Sequence, residues 1–502
     1  MWTKKKLLVF LIILIIAVFL RTYHFTSLPP GLYPDEAMNG NNALESLHTG
    51  DSSVFYPENN GREGLFINIQ ATALKLWGGR EPWMLRSPAP LFGILTVLGV
   101  GLLAIEFFGI ETGILAAILL ATNFWHINFS RIGFRAIMAP FFIVWGLYFL
   151  YKGFKAASKH RVKTSFAWTA LASVIYGLGF YSYIAYRVTP LMVLIIAGYY
   201  WWKSRREGWQ KLFIKNAALC AVLVTLTVAP LLYYFGTHPG SFFGRTSDVS
   251  VFASQSPVKD ISLNLAKTFG MFVYHGDWNW RHNFAGAPEL YWPVSILFLV
   301  GIAVAARRVW RGAKSSNGFI AIGRMPENAF LHRVLFGWSA IALLPVVISN
   351  EGIPHALRAI LLIPPAIIFA AIGGVWLFHK LFDHAGHRFA YALAAILILA
   401  TTANAYYMYF IAWGKSPNVQ NAFAADYAAL GRELNALPAD IDKYVVVNAG
   451  GVLERGIPVP AQTVMFITDT WLPERQAEKR IHYVRPEAVN TIPKDALVFY
   501  IN

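Results

Sequence analysis

The sequence predicts an all-α polytopic membrane protein of about eleven transmembrane helices, followed by a small extracytoplasmic α/β domain. Hydrophobic residues make up 56% of the 502-residue chain and charged residues only 14%, which is too apolar for a soluble globule. Eleven apolar runs have lengths near that of a membrane span. After residue 411 the composition changes to short β-branched and aromatic runs separated by Pro, Gly and Asp.

The net charge of +16 does not point to nucleic acid, and we predict no nucleic-acid partner. The basic residues fall in short clusters between apolar runs, where they set membrane topology. The single cysteine, Cys220, lies inside an apolar run, so an intrachain disulfide is excluded. The chain is therefore expected to be embedded in membrane lipids and held together without a disulfide.

The first span is predicted over residues 7–20, LLVFLIILIIAVFL, which follow Lys4, Lys5 and Lys6. This layout is that of a signal peptide, but the next residues, RTYHF, offer no small-residue cleavage site, so we expect an uncleaved span. Because lipid offers the backbone no hydrogen-bond partners, every spanning run should be helical. The other predicted spans are 87–107, 112–129, 136–151, 165–182, 188–202, 214–235, 290–306, 331–349, 357–378 and 389–411.

Basic residues orient these spans. If the N-terminus is cytoplasmic, the segments 108–111, 152–164, 203–213, 307–330 and 379–388 are also cytoplasmic. All of them except 108–111 carry Lys or Arg, as the positive-inside rule requires. The acidic residues then fall on the opposite face. They are Asp35, Glu36, Glu45, Asp51, Glu58, Glu63, Asp248, Asp260, Asp277, Glu289 and Glu351. We therefore predict a membrane domain over 1–411 with outer loops 21–85 and 236–289, and an extracytoplasmic domain over 412–502.

The predicted C-terminal domain has patterns typical of a helix and patterns typical of strands. The stretch 421–437 has helical spacing, and the runs 443–450, 463–470 and 496–502 are expected to be strands. The simplest interpretation is a cap without catalytic residues.

Asp35 and Glu36 are the first candidate catalytic residues. They lie in PPGLYPDE, just after the first span, where a carboxylate could act as general base on an acceptor hydroxyl or amine. The alternative is a solvated turn, because prolines, glycine and acids are ordinary in such loops. Adjacent acids alone do not separate the two interpretations.

Arg62 and Glu63, in ENNGREGLF, are candidates for substrate binding. The planar fork of an arginine suits phosphate, and the glutamate could fix a sugar hydroxyl or orient the arginine. Alternatively the two could pair with each other or cap the helix expected in LFINIQATALKLW.

Four further arginines are expected at the outer membrane boundary. Arg131 and Arg135 lie one helical turn apart in FSRIGFRAIMAP, and Arg187 and Arg358 lie at comparable depth in later loops. Arginine near hydrocarbon is costly unless paired, and an anionic headgroup would relieve that cost. Snorkelling to the interface is the alternative for each of them.

No metal site is predicted. The histidines expected near the outer face show no HxxxH or HExxH spacing; they are His126, His238, His275, His282 and His355. A divalent metal could still be held by Asp35, Glu36 or Glu63 together with a histidine. No other cofactor is expected.

Several stretches together resemble the membrane glycosyltransferases of the GT-C fold. They are PPGLYPDE after the first span, GREGLF before an amphipathic helix, RSPAPLFGILTVLGVGLLA, NFWHINFSRIGFRA and PHALRAILLIPP. The sequence looks most like the family of protein O-mannosyltransferases and the aminoarabinose transferase of lipid A (glycosyltransferase family 39). The resemblance covers roughly residues 1–410 and does not extend to the C-terminal domain.

The resemblance implies inverting transfer of a sugar from a polyprenyl-phosphate donor on the extracytoplasmic face. The family's catalytic base maps onto Asp35, with Glu36 as its neighbour, and the basic residue before the amphipathic segment maps onto Arg62. This sequence has Arg62-Glu63-Gly64 where the family usually has prolines, so Arg131 and Arg358 are alternative phosphate ligands. The acceptor could be a protein, a lipid or a glycan.

A transporter or flippase of a lipid-linked sugar precursor is the alternative function. Such a protein would be expected to carry charged residues deep within its spans and an internal repeat, and the sequence shows neither clearly. Compact loops and the lack of a eukaryotic targeting motif favour a prokaryotic plasma (inner) membrane.

Overall fold

The computed structural model describes residues 4–243, 250–315 and 326–502, so Asp248 and part of the predicted cytoplasmic segment 307–330 lie outside the described residues. The described chain is mostly helical. Its α-helices are α1 (Lys4–Thr22), α2 (Pro34–Thr49), α3 (Leu65–Trp77), α4 (Pro82–Arg86), α5 (Pro88–Phe108), α6 (Ile110–Ala121), α7 (Phe124–Phe129), α8 (Met138–Ala157), α9 (Val162–Leu178), α10 (Pro190–Arg206), α11 (Gln210–Thr237), α12 (Pro239–Phe243), α13 (Pro257–Gly270), α14 (Trp292–Ser315), α15 (Glu327–Val347), α16 (Ile363–Ala385), α17 (His387–Tyr406), α18 (Pro417–Ala422), α19 (Ala425–Ala436), α20 (Gln462–Thr468) and α21 (Pro473–Lys479).

Short strands complete the described structure. They are β1 (Phe55–Tyr56), β2 (Arg62–Glu63), β3 (Lys443–Val447), β4 (Leu453–Glu454), β5 (Ile457–Pro458), β6 (Ile481–Val484) and β7 (Leu497–Ile501). Strands β1 and β2 pair antiparallel, as do β4 and β5. Strands β6, β3 and β7 form a parallel sheet in that order.

All eleven predicted spans are helical, and eight helical stretches within the described residues are long and apolar enough to cross a membrane. The first span and α6 are shorter apolar helices. The predicted run 112–129 is interrupted, because α6 ends at Ala121 and α7 begins at Phe124. Asn123 caps α7, its side-chain oxygen accepting the His126 N–H at 3.0 Å. The polar Asn123 therefore divides one predicted span into a helix and a short turn of helix.

Helix α16 is at the centre of the helical bundle. In its most apolar window 83% of the residues are buried, whereas the corresponding share is 17% for α11 and for α17 with its π-helical extension. It packs closely on α14, because Gly301 and Gly373 let the two backbones meet. A Cβ on Gly301 would lie 1.7 Å from the Phe369 carbonyl oxygen. Small residues are a common means of close packing between membrane helices.

At one end of the bundle, lysines near the short connections pair with glutamates. Lys152 and Lys155 both reach Glu106, at 3.2 and 2.8 Å, and Lys203 lies 2.6 Å from Glu327. These lysines come from segments that the charge pattern assigns to the cytoplasmic side. This end therefore has the character expected of plain connectors.

The opposite end carries α2, the β1–β2 hairpin, α3 and the C-terminal domain; we call it the α2 end. Helix α2 begins with Pro34 in its first turn and ends at Thr49, and it is followed by Gly50, whose φ of 80° suits glycine. Ten of its sixteen residues are buried, although the helix is polar in composition. Helix α3 covers Leu65–Trp77, the stretch whose amphipathic spacing predicts a helix. Most polar groups of a helix with this much buried surface are expected to be bonded within the protein.

In the C-terminal domain, one of the three predicted strands is a helix. Strands β3 and β7 confirm the runs at 443–450 and 496–502, but the run 463–470 is the helix α20. Every residue of α20 is buried, so its apolar pattern has no solvent-facing side from which a helical period could be recognised. The third strand of the sheet is β6. The predicted helix over 421–437 is divided into α18 and α19.

Candidate active site

A cavity of about 540 Å³ opens at the α2 end. Its charged lining residues come from separate parts of the chain. They are Asp35, Arg62, Glu63, Arg135, Arg187 and Arg358. Four arginines against two carboxylates leave a net charge of +2 among them, with His355 as an additional lining residue. The cavity therefore suits an anion that has an apolar part, because Phe55, Phe134 and Leu357 also line it.

Asp35 is in the first turn of α2, a position where the helix dipole favours a negative charge. Its Oδ1 accepts a hydrogen bond from the Asn59 side-chain amide at 2.9 Å. Asn59 lies in the turn between β1 and β2 and also lines the cavity. The half-buried carboxylate is thus oriented by the neighbouring hairpin while it borders the cavity.

Glu36, the adjacent acid, is directed away from the cavity. It is fully buried and accepts two hydrogen bonds from Arg86, at 2.9 and 2.7 Å. The Gly133 N–H also donates to it. A buried carboxylate with a bidentate arginine is stable only when its remaining lone pairs are also bonded. Glu36 therefore has structural partners that tie α2 to α4 and to the segment before α8.

The side chain of Arg62 is only 3% exposed, lies against α2 and lines the cavity. Its guanidinium donates to Asn39 Oδ1 at 2.6 Å and to Asn42 Oδ1, both on α2. Burial, followed by the charge of Arg135, lowers the Arg62 pKa to about 10. It therefore remains charged at neutral pH, held by neutral amides.

Glu63 holds two arginines at once. Its Oε2 accepts from Arg135 at 3.0 Å and its Oε1 from Arg187 at 3.1 Å. Because Glu63 is only 1% exposed, the two guanidiniums are fixed beside each other at the cavity wall. Arg187 also stacks on Phe235 and Phe242, with centroid distances of 4.9 and 4.8 Å.

The structure brings Arg358 to this cavity and separates Arg131 from it. Arg358 lines the cavity and pairs with Glu351 at 2.7 Å. Arg131 is fully buried elsewhere, donating to the carbonyls of Leu20 at 3.1 Å and Tyr23 at 2.7 Å. Its guanidinium also lies 5.0 Å from the centre of the Tyr409 ring. Arg131 thus ties the end of α1 to the bundle.

A second polar cluster lies beside the cavity and was not predicted. The ligand atoms of Asp277, His282 and His355 lie within 4.8 Å of one another, a grouping that could hold a metal ion. The Asp277 carboxylate, however, already accepts from Asn279 N–H at 2.8 Å, His282 Nδ1–H at 2.9 Å and Ala356 N–H at 2.8 Å. These bonds use three of the roughly four lone-pair positions of the carboxylate, so a metal would compete with them for Asp277.

The two histidines of this cluster are neutral at neutral pH, because the pKa values of both are lowered. Burial, and after it the neighbouring His282, lower the pKa of His355 to about 3. Burial also lowers the pKa of His282, although its hydrogen bond to Asp277 opposes the shift. Burial, the largest single effect, raises the pKa of Asp277, but the hydrogen bond from His282, the electrostatic interactions with His282 and His355 and the Asn279 N–H together outweigh it, so the pKa is lowered. Residues 277, 282 and 355 are too irregularly spaced for a sequence motif to reveal them.

No protein-family model matches the sequence, and no curated protein matches it. Solved structures do match. The oligosaccharyltransferase AglB from the archaeon Archaeoglobus fulgidus, in complex with an inhibitory peptide and a dolichol-phosphate, aligns with a TM-score of 0.54 at 14% identity. The alignment covers 93% of this chain and 64% of AglB.

A second match is ArnT from Cupriavidus metallidurans bound to undecaprenyl phosphate, with a TM-score of 0.54 at 13% identity. It covers 99% of this chain and 90% of ArnT. The chain has the GT-C fold. The fold implied by the sequence resemblance over residues 1–410 is thereby confirmed, and the alignment also extends over the C-terminal domain, which the resemblance did not cover.

A further structure of the Archaeoglobus oligosaccharyltransferase, in complex with Zn and sulfate, aligns with a TM-score of 0.51 and 14% identity over 95% of this chain and 62% of that one. At these identities the matches establish the GT-C fold. Roles of individual side chains in this chain depend on its own geometry.

Proposed function

We propose that the protein is a membrane glycosyltransferase that transfers a sugar from a polyprenyl-phosphate donor to an acceptor on the extracytoplasmic face. The observation that carries this proposal is the cavity at the α2 end, where Asp35 and four arginines meet. The GT-C fold supports it, because AglB and ArnT have been solved with dolichol-phosphate and undecaprenyl phosphate respectively.

The arginines would bind the donor phosphate. Arg135 and Arg187 are already oriented by Glu63, so little reorganisation accompanies phosphate binding. Arg62 and Arg358 add positive charge on the same cavity wall. The apolar lining residues, among them Phe134, would contact the first part of the lipid chain, whose remainder lies between membrane helices.

Asp35 would act as the general base. It accepts the proton of the acceptor hydroxyl or amine as that atom bonds to the anomeric carbon. The bond from the anomeric carbon to the phosphate oxygen breaks in the same step, and its electron pair leaves on the phosphate. Attack opposite the leaving phosphate inverts the anomeric centre. Because fixed guanidiniums meet the charge of the phosphate, the leaving group does not require protonation.

The acceptor belongs to one of three chemical classes, namely protein, lipid or glycan. AglB has been solved with an inhibitory peptide, which supports a test of peptide acceptors first. In this proposal the N-terminus is cytoplasmic, and the cavity and C-terminal domain are extracytoplasmic, in a prokaryotic plasma (inner) membrane. Membrane lipids surround the helical bundle, in accord with its apolar helices.

The decisive experiment is an in vitro transfer assay with polyprenyl-phosphate sugars and a panel of acceptors. Asp35→Asn should lower kcat by about 100-fold or more, because general-base catalysis contributes roughly 10²- to 10⁴-fold. Asp51→Asn is the matched control, since Asp51 is an exposed acid after the same helix.

Donor binding should persist in the Asp35→Asn variant, because the arginines are unchanged. Full activity of this variant would remove Asp35 as the base. Transport of the intact lipid-linked sugar without any transfer, in the wild type, would replace the proposed function with that of a flippase.

A further inference from the structure

The C-terminal domain is bonded to the segments that carry the cavity residues. Gln462 accepts hydrogen bonds from the Asn41 side chain at 2.7 and 3.1 Å, and Thr463 donates to the Leu32 carbonyl at 2.8 Å. The Phe466 ring packs on Gly40, where an added Cβ would approach it to 2.5 Å. The domain therefore fits closely along α2, the helix that begins with Asp35.

One of its contacts leads directly to Asp35. The carboxylate of Glu454, in β4, accepts the backbone N–H of Asn59 at 2.6 Å. The side chain of the same Asn59 donates to Asp35 Oδ1 at 2.9 Å. A residue of the C-terminal domain is thus separated from the candidate base by one intervening residue.

The turn that contains Asn59 has a backbone conformation that depends on external support. Asn59, Asn60 and Gly61 have φ values of 49°, 63° and 82°, so three successive residues are left-handed. Only glycine adopts this region without cost, and asparagine tolerates it better than most residues. Strained residues of this kind persist when their surroundings hold them. The hydrogen bond from Asn59 to Glu454 is such a restraint.

The β4–β5 hairpin is itself anchored on α2. Arg455, next to Glu454, pairs with Glu45 of α2 at 2.8 and 2.9 Å and lies 4.3 Å from the centre of the Trp471 ring. The Trp471 indole donates to Glu45 at 2.7 Å. Glu454 and Asp35 are therefore positioned relative to the same helix.

We propose that the β4–β5 hairpin of the C-terminal domain orients the catalytic base, with Glu454 as a positioning residue that acts through Asn59 on Asp35. This inference rests on the proposed function, because it assigns a role to the base of that reaction. Fixing Oδ1 fixes the plane of the Asp35 carboxylate, and with it the direction from which an acceptor proton is received. The C-terminal domain is thereby part of the catalytic arrangement.

The test compares Glu454→Ala with Glu454→Gln in the full-length protein. The alanine variant loses the acceptor for Asn59 N–H, and kcat should fall about tenfold, since a misplacement on the order of 1 Å can cost up to roughly 100-fold. The donor KM should change less than about twofold, because the arginines are untouched. Glutamine retains an acceptor oxygen, so Glu454→Gln should keep most of the activity.

A double-mutant cycle separates positioning from general destabilisation. Asn59→Ala should lower kcat, and adding Glu454→Ala to it should lower kcat no further, because both changes interrupt one connection. Arg432→Ala is the matched control: it removes the exposed ion pair to Glu81, another contact between the C-terminal domain and the first loop, without touching Asn59. Additive losses in the cycle, or an equal loss in Arg432→Ala, would overturn the inference.

Hydrogen exchange tests the same connection without turnover. Amides of residues 57–61 should exchange faster in Glu454→Ala than in the wild type or in Arg432→Ala. Unchanged exchange would overturn the inference even if the transfer reaction were demonstrated. Conversely, absence of transfer in the wild type would count against the proposed function, whereas the exchange result would still decide whether Glu454 orders the turn.

Discussion

The cavity wall and the polar layer behind it use the same residue types in different ways. At the wall, Arg135, Arg187 and Glu63 are paired yet still line an open cavity. Behind it, Glu36 is bonded to Arg86, and the two terminal nitrogens of Arg131 are bonded to backbone carbonyls. The difference teaches that an ionisable residue near the membrane boundary becomes a functional candidate only when its charge is directed at space that a ligand can enter.

The largest effect should come from the layer behind the wall. Glu36→Ala leaves the buried Arg86 without its carboxylate partner, and breaking such a pair costs about 3–5 kcal/mol. We expect a large loss of folded protein and a lower unfolding temperature in detergent. Asp35→Asn, one residue away, should leave the unfolding temperature nearly unchanged. Equal stability of the two variants would contradict the assignment of a structural role to Glu36 and of a cavity-facing role to Asp35.

Charge-neutral changes of the wall arginines should act on the donor. Arg135→Gln and Arg187→Gln each remove a charge-assisted hydrogen bond, a loss of about 1.5–3 kcal/mol, or roughly 10- to 100-fold in donor KM. We expect Arg62→Gln and Arg358→Gln to raise the donor KM as well. Arg131→Gln should instead lower stability with the donor KM unchanged. If the donor KM changed in Arg131→Gln but not in the variants of the cavity arginines, Arg131 and not the cavity arginines would be the donor-binding residue.

The pH dependence of stability should report the buried histidines. The His355 pKa falls from 6.5 to about 3 on folding, mainly through burial and then through the neighbouring His282, while Asp277 opposes the shift and Arg358 and Arg281 add to it. Below pH 6.5 the unfolded chain therefore binds a proton that the folded chain does not, and stability is lost as the pH falls toward 3. The loss at pH 5 should be about 2 kcal/mol.

Thermal unfolding between pH 7.5 and 5 measures how steeply the stability falls with pH, and this slope should be shallower in His355→Gln. Gln in place of the exposed His160 is a suitable control and should leave the slope as it is. An unchanged slope in His355→Gln would show that His355 takes up its proton equally well in the folded and unfolded states.

The smallest effect is expected from metal removal. Because Asp277 already accepts three hydrogen bonds from the protein, chelation should change transfer less than about twofold. The measurement is transfer activity after EDTA treatment, with and without added Mn²⁺ or Zn²⁺. Activity that is lost on chelation and restored by metal would show that Asp277, His282 and His355 form a metal site. These residues would then belong with the cavity-lining residues that act on the ligand.

Much of the fold could be predicted because its physical causes are local. Apolar runs near the length of a bilayer predict helices, because lipid offers the backbone no hydrogen bonds, and the runs are helical apart from the break at Asn123 in 112–129. The error at 463–470 has a tertiary cause, since α20 is buried on every side by α2 and its own domain. Its apolar residues therefore carry no period that distinguishes helix from strand.

The residue types of the site were also predictable, but not their grouping. Asp35, Arg62, Glu63, Arg135, Arg187 and Arg358 all line the cavity, whereas Glu36 and Arg131 do not. No local pattern connects Asn59 to Glu454, which lie 395 residues apart. Likewise Asp277 and His355 are joined only by the folding of separate loops.

The membrane class, the helical spans and the concentration of acids and arginines in a few polar segments follow from the amino-acid sequence, because hydrophobicity and charge act residue by residue. Which of these charges share the cavity depends on how the chain folds. Asp35 and Glu36 are neighbours in the chain, yet a helix turns successive side chains by about 100°, so one borders the cavity and the other meets Arg86. That difference depends on what packs against each face of α2, and those partners come from distant segments.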